Sequence, residues 1–139
     1  MPLTLEEREQ FLLEPHIGSL AVSADGGRGP RQVPIWYKYE PGGQLWITTK
    51  STSRKARLIE RAGRFSLLVE RLSPTIRYVS VEGPAVGEPG NEDYLREMAS
   101  RYVRPERLDA YLAYLKEEGQ QTVFRLKVEH WTSADLGPA

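Results

Sequence analysis

The sequence predicts a mainly β domain, a six-stranded antiparallel barrel with peripheral helices. Three features carry that prediction. Short runs alternate polar and apolar residues with a period of two, glycine- and proline-containing turns separate them, and the longer helical stretches come late, between the fifth run and the sixth. A parallel α/β sheet would instead alternate strand and helix throughout. With 139 residues, 40% hydrophobic and 27% charged, the chain is long enough for a real core and is expected to form one domain over 1–139.

The elements follow in order. Thr4-Leu5-Glu6-Glu7 fits a capping box, so a helix opens at Leu5 and runs to about Leu13, ahead of Pro15. Gly18 to Ala24 reads as the first strand and Asp25-Gly26-Gly27 as a turn. Arg31 to Tyr39 is the second strand, and Pro34, which cannot donate to a ladder, demands a bulge or a free edge there. Pro41-Gly42-Gly43 turns into a third strand over 44–49. A short helix spans about Ser53 to Ala62, with Ala56, Ile59 and Ala62 on one side and Gly63 as its stop. Phe65 to Glu70 and Ile76 to Val86 are strands four and five, the latter placing Tyr78, Ser80 and Glu82 opposite Val79 and Val81. Helical stretches over about 91–103 and after Pro105 follow, then a last strand over 121–129, Trp131 and a polar tail.

Composition narrows the function classes. The formal net charge of zero argues against a dedicated nucleic-acid binder. Without cysteine there is no disulfide, thiolate nucleophile or cysteine-ligated metal. His16 and His130 stand in no metal-binding spacing, so no metal site is expected. No apolar run reaches membrane-spanning length and no signal-peptide pattern is present, which makes the cytoplasm the expected location.

The most telling stretch is WITTKSTSRKARLIERAGR, residues 46–64. A strand ends in Thr48 and Thr49, a hydroxyl-rich turn follows, and a helix opens with Arg54 and Lys55. Helix dipoles disfavour cations in the first turn. Two cations beside free backbone N–H groups form a receptor for a phosphate or carboxylate, and a bound anion would offset the dipole cost. A solvated, arginine-rich helix start is the alternative.

The run ITTKSTSRKARLIERAGRFSLLVE resembles the cofactor-binding core of the pyridoxamine 5′-phosphate oxidase-like split β-barrels, a family of flavin and deazaflavin proteins. In that family a strand ends in small or hydroxyl residues and an Arg-Lys pair opens the next helix. Arg77-Tyr78-Val79-Ser80-Val81-Glu82-Gly83 matches the family's Arg-x-Val-x-Val-x-Gly strand, and Val33-Pro34-Ile35-Trp36 its proline step before an aromatic. The likeness covers about residues 15–90 and is closest to the branch that binds the deazaflavin coenzyme F420, on Pro34-Ile35-Trp36 and Thr52-Ser53-Arg54-Lys55-Ala56. The C-terminal HWTSADLGPA resembles no Arg-x-His-type substrate segment, which speaks against vitamin B6 oxidation.

The resemblance implies a split β-barrel, of the kind called the FMN-binding split barrel, working as a homodimer with the cofactor at the subunit interface. It implies that Arg54 and Lys55 hold the cofactor phosphate, with Thr48, Thr49, Ser51 and Ser53 as hydroxyl donors. The backbone of Val33, Pro34, Ile35 and Trp36 would face the ring, and Tyr78 would reach the same pocket. Core or interface packing is the alternative for Trp36 and Tyr78, and ordinary β-propensity for Thr48 and Thr49. The implied activity is hydride transfer from reduced F420 to a small unsaturated substrate, with no catalytic side chain nominated. Tyr37, Tyr39 and His130 are conceivable proton donors that also read as structural residues. The alternatives are an FMN-binding relative of pyridoxamine 5′-phosphate oxidase and a non-enzymatic carrier of the cofactor or of haem. Trp36, Tyr37 and Trp131 suit an interface, while Arg96, Arg101, Arg104 and Arg107 are solvated or attract a polyglutamate tail.

Overall fold

The computed structural model describes residues 2–139. In chain order the elements are α1 (Leu5–Leu13), β1 (Gly18–Val22), β2 (Arg31–Ile35), β3 (Lys38–Glu40), β4 (Gln44–Lys50), α2 (Arg54–Ala62), β5 (Arg64–Arg71), β6 (Ile76–Pro89), α3 (Glu92–Ser100), α4 (Pro105–Glu118), β7 (Gln121–Lys127) and β8 (His130–Gly137). All pairings are antiparallel, in the order β2-β1-β5-β6-β7-β4-β3, with β8 added beside β6. The two ends of that order, β2 and β3, are consecutive in the chain, so the curled sheet is joined end to end by Trp36 and Tyr37.

The local signals act as expected. Thr4 and Glu7 form the reciprocal capping box of α1, with bonds of 2.9 and 3.2 Å. Ser53 caps α2 by accepting from the Ala56 N–H at 3.1 Å, and Gly63 closes it at φ +70°, where only glycine is unstrained. Pro34 lies in β2, which pairs only with β1, so its missing donor leaves no gap in a central ladder.

The strand count is eight rather than the expected six because one expected strand divides at a corner and the C-terminal segment adds another. The run 31–39 divides after Ile35: β2 pairs with β1, and β3 pairs with β4. At the crossing the Tyr37 N–H donates to the Tyr102 hydroxyl at 3.3 Å, and that hydroxyl donates to the His16 carbonyl at 2.8 Å. A side chain thus replaces the ladder partner that the crossing removes. The expected last strand ends at Lys127 as β7, the chain then turns a corner, and the segment that reads as a polar tail is an added strand, β8, on β6.

That second corner turns around Gly83. One half of β6 lies between β5 and β8, and the other half pairs with β7. A Cβ at Gly83 would stand 1.8 Å from the Lys127 carbonyl oxygen, so the glycine of the Arg-x-Val-x-Val-x-Gly run permits this close backbone approach.

Two apolar clusters result. The barrel interior is filled by Leu20, Ile47, Leu67, Val79, Val81 and Leu126, among others. A second cluster forms outside the barrel wall, where Trp46 and Val123 meet Met98 of α3, with Trp36, Tyr94 and Tyr102 around them. Alternation in β4 explains the split. Leu45 and Ile47 face the interior, while Trp46 and Thr48 face the helices. The α3–α4 pair is further tied down by Arg101, whose guanidinium donates to the Leu13 and Glu14 carbonyls at 3.2 and 3.4 Å.

Gly83→Ala is expected to destabilise the fold by at least the about 1–3 kcal/mol typical of an overpacked core. Thermal melting should show a large drop, and an unchanged melting temperature would contradict the close approach at this corner.

Candidate functional site

Helix α2 starts where β4 ends, beside the turn between β1 and β2. Its Arg54 borders a polar cleft of about 280 Å³ together with Arg28, Arg31 and Gln32. Lys55 is half-buried, and its ammonium is held below the usual lysine range, first by burial and then by the charge of Arg31. Among the described residues no carboxylate forms an ion pair with Arg28, Arg31, Arg54 or Lys55. The Arg54 and Lys55 N–H groups precede the first intrahelical bond, from the Arg57 N–H to the Ser53 carbonyl at 3.3 Å. Four cations, free amides and no counter-charge suit a phosphate-bearing anion.

The hydroxyls near this corner serve different ends. Thr49 is buried at 5% exposure, and its Oγ1 lies 3.2 Å from Ser53 Oγ, which also caps α2. Ser51 Oγ bonds Thr122 Oγ1 at 2.7 Å. These contacts set the turn that aims Arg54 and Lys55. Thr48 faces the other way, into a second cavity.

That cavity, of about 330 Å³, lies at the far end of β2, between the barrel wall and the helix pair. Pro34, Ile35, Trp36, Thr48 and Gln121 line it from the strands, and Leu95, Met98, Ala99, Tyr111 and Leu115 from α3 and α4. Trp36 is stacked on Tyr102 at 4.7 Å and 12° and lies 5.5 Å from Tyr111. None of these lining side chains carries a charge. From Arg31 to Ile35 strand β2 spans about 13 Å at ~3.3 Å per residue, so one strand links the cationic cleft to the uncharged cavity.

Of the residues expected at the site, Pro34, Ile35, Trp36 and Thr48 meet in the cavity, and Arg54 and Lys55 meet at the cationic corner. Val33 packs partly into the barrel core, so only its backbone is available to a ligand. Tyr78 is set apart. It lies on the outward face of β6, opposite Glu70 and Ala134, and borders neither space. Arg28, Arg31, Tyr111 and Gln121 escaped the sequence reading. Arg28 and Arg31 flank a Gly-Pro turn, which is a weak signal, and nothing local marks Tyr111 or Gln121.

Other candidates have structural duties. Tyr37 is fully buried and donates to the Glu14 carbonyl at 3.1 Å, and burial pushes its hydroxyl up from the usual tyrosine range. Tyr39 donates to Glu9 at 2.7 Å and is pushed up as well, by burial and by that carboxylate. Trp131 is partly buried and packs against the barrel core under Arg8. Arg101 is bound to α1, and Arg96 pairs with Asp109 at 3.6 Å. Only Arg104 and Arg107 of the four helix arginines are exposed and unpaired among the described residues.

Inorganic phosphate is expected to bind this corner, with an affinity that falls as pH rises through the lowered Lys55 pKa, because the neutral amine no longer attracts it. Lys55→Arg should remove that fall, and Arg31→Ala should weaken binding by about 10-fold, the scale of one charge-assisted hydrogen bond. Phosphate titrations by calorimetry across alkaline pH check both.

The sequence model for pyridoxamine 5′-phosphate oxidase matches residues 4–135. Among solved structures, a conserved hypothetical protein from Mycobacterium tuberculosis is 25% identical with a TM-score of 0.74, covering 96% of this chain and 85% of that one. An F420 reductase is 18% identical with a TM-score of 0.73, covering 89% and 94%. An FAD-binding protein from Mesorhizobium loti is 20% identical with a TM-score of 0.69, covering 97% and 96%. No curated protein matches the sequence. The likeness to the reductase and the FAD-binding protein is one of fold, while the family match runs through both β2 and the start of α2. On that match and this strand order, the chain belongs to the pyridoxamine 5′-phosphate oxidase family of split β-barrels.

Proposed function

We propose that this protein is an oxidoreductase that transfers hydride from reduced coenzyme F420 to a small unsaturated organic substrate. The observation that carries the reading is the division of labour along β2, with an unpaired cationic cleft at one end and an uncharged cavity at the other. A cofactor with an anionic tail and a flat ring has that distribution of charge. When bound, the reduced ring supplies a hydride to the substrate, and a solvent proton completes the reduction.

The chain's own residues bind and orient. Arg54 offers a planar fork to phosphate oxygens, Lys55 adds a point charge, and Arg31 and Arg28 extend the positive field along the cleft. Pro34 to Trp36 present the end of β2 to the ring, and the apolar helix pair excludes water from that region. Four cations exceed what one phosphate needs, which favours the multiply charged tail of F420 over FMN. No histidine borders the cavity, since His16 stacks on Phe11 and His130 lies exposed on β8; this speaks against haem.

We infer further that the working form is a homodimer. The outward face of β2, β1, β5, β6 and β8 carries Pro34, Ser19, Leu68, Ser80 and Thr132 in one row. The adjacent row holds Ala21 and Ser66. Its charges are Glu70, Glu82 and Arg64, the last paired with Glu129. A broad face of mostly small and uncharged residues, with Leu68 and Tyr78 as its larger side chains, suits packing against a second copy.

Titration of the purified protein with F420 and with FMN, followed by absorbance and fluorescence, tests the cofactor. F420 is expected to bind more tightly, and an Arg54→Ala, Lys55→Ala double variant should lose at least about 100-fold in affinity, the scale of two charge-assisted bonds. Unchanged affinity in that variant would end the assignment. Leu68→Arg should convert dimers to monomers in sedimentation while leaving melting nearly unaltered; a wild-type chain that is monomeric at all concentrations would refute the homodimer.

A further inference from the structure

We propose that the part of the cavity toward Gln121 and the α3–α4 pair, beyond the end of β2 that would face the cofactor ring, is the substrate pocket of this reaction, and that it selects neutral cyclic compounds bearing a carbonyl or hydroxyl group read by Gln121. The inference rests on the proposed function for its chemistry, but not for the binding itself.

Gln121 is the key observation. It is only 8% exposed, and its side-chain amide makes no hydrogen bond among the described residues. It is also not among the side-chain atoms sealed away from all space, so the amide opens to the space that the cavity shares with the outer groove between α3 and α4. Water can bond such an amide while the cavity is empty, and a ligand that displaces this water must replace its hydrogen bonds. The residue is held firmly, because its carbonyl accepts from the Gly90 N–H at 2.9 Å and from the Gln120 side chain at 3.0 Å. Those bonds fix the backbone from which the side chain projects, and its amide can donate to a carbonyl or accept from a hydroxyl.

The rest of the wall fixes the class of ligand. Trp36 and Tyr111 offer aromatic faces, and Leu95, Met98 and Ala99 offer aliphatic surface, which suits a ring. The Thr48 and Tyr111 hydroxyls have no partner among the described residues and supply secondary polar contacts. A carboxylate or phosphate in this space would lose its hydration and meet no cation. The cations that could serve lie elsewhere, at the opposite end of β2 or in the outer groove between α3 and α4. That groove shares Leu95, Leu115 and Gln121 with the cavity, so it provides the route in from solvent. Its Arg96 is balanced by Glu92 and Asp109.

Calorimetric titration of the full chain, free of cofactor, with menadione and with naphthoquinone sulfonate tests the pocket. The absence of cysteine removes the usual site of quinone addition. Menadione is expected to bind at least ten-fold more tightly than the sulfonate. Ala99→Phe, which fills the cavity, should abolish menadione binding, and Gln121→Leu should weaken it about ten-fold, with F420 titrations run in parallel on each variant. Leu115→Trp narrows a less buried wall and serves the same purpose should Ala99→Phe fail to fold. Equal or tighter binding of the sulfonate, or menadione affinity unchanged in the filled variants, would overturn the proposal. Menadione binding without any F420 or FMN binding would sink the proposed function and leave the pocket standing.

Discussion

The crossing at Trp36 and Tyr37 is the constraint on which the rest of the structure depends. There the chain leaves the β1 edge and joins β4, and the Tyr102 hydroxyl holds it by bonding the Tyr37 N–H and the His16 carbonyl. Because Tyr102 follows α3, the same contact docks the helix pair against the barrel. Trp36, stacked on Tyr102, becomes a wall of the cavity. One hydroxyl thus couples barrel closure, helix placement and the shape of the candidate site. A buried backbone N–H at a sheet corner needs some partner, and a tyrosine meets that need while filling space.

Charge is distributed to match. The outer surface is laced with compensated pairs, such as Arg77 with Asp135 at 2.8 Å and Arg125 with Glu88 at 3.1 Å. The Asp135 carboxyl is held down at about 2 by the Gly137 N–H, Thr75 and Arg77. Against that background the cluster of Arg28, Arg31, Arg54 and Lys55 stands out because no carboxylate pairs with it among the described residues. Like charges gathered at a helix N-terminus oppose the helix dipole and one another. The fold tolerates that cost because α2 is anchored elsewhere, by Ala56, Leu58 and Ile59 in the core and by its Ser53 and Gly63 caps.

The helix pair gives the barrel a second, external core. Trp46 and Val123 project from the strands toward Met98, so the wall between β4 and β7 is apolar on both sides. A wall of this kind is rigid, and it can carry a pocket without exposing strand backbone to solvent. The cavity is the part of this second core that the side chains leave unfilled, and Gln121 is its one strongly buried polar amide.

By itself the sequence determined the features that depend on neighbours within a few residues. Thr4 with Glu7, Ser53 with Ala56, and Gly63 mark helix ends because capping is local. The alternation around Val79 and Val81 marks the buried face because side chains in a strand alternate strictly. The Arg54-Lys55 helix start was legible for the same reason. What only the tertiary structure decided is how distant segments share space. It divided 31–39 between two partners and made the tail after 129 a strand, because corners are set by partners such as Tyr102, 65 residues beyond Tyr37, and Lys127, whose carbonyl excludes a Cβ at Gly83. It also brought Arg28 and Arg31 to Arg54, and Tyr111 and Gln121 to Trp36, while setting Tyr78 aside on the outward face. Those juxtapositions follow from strand order and register, and long-range pairing leaves no mark at any single position in the chain.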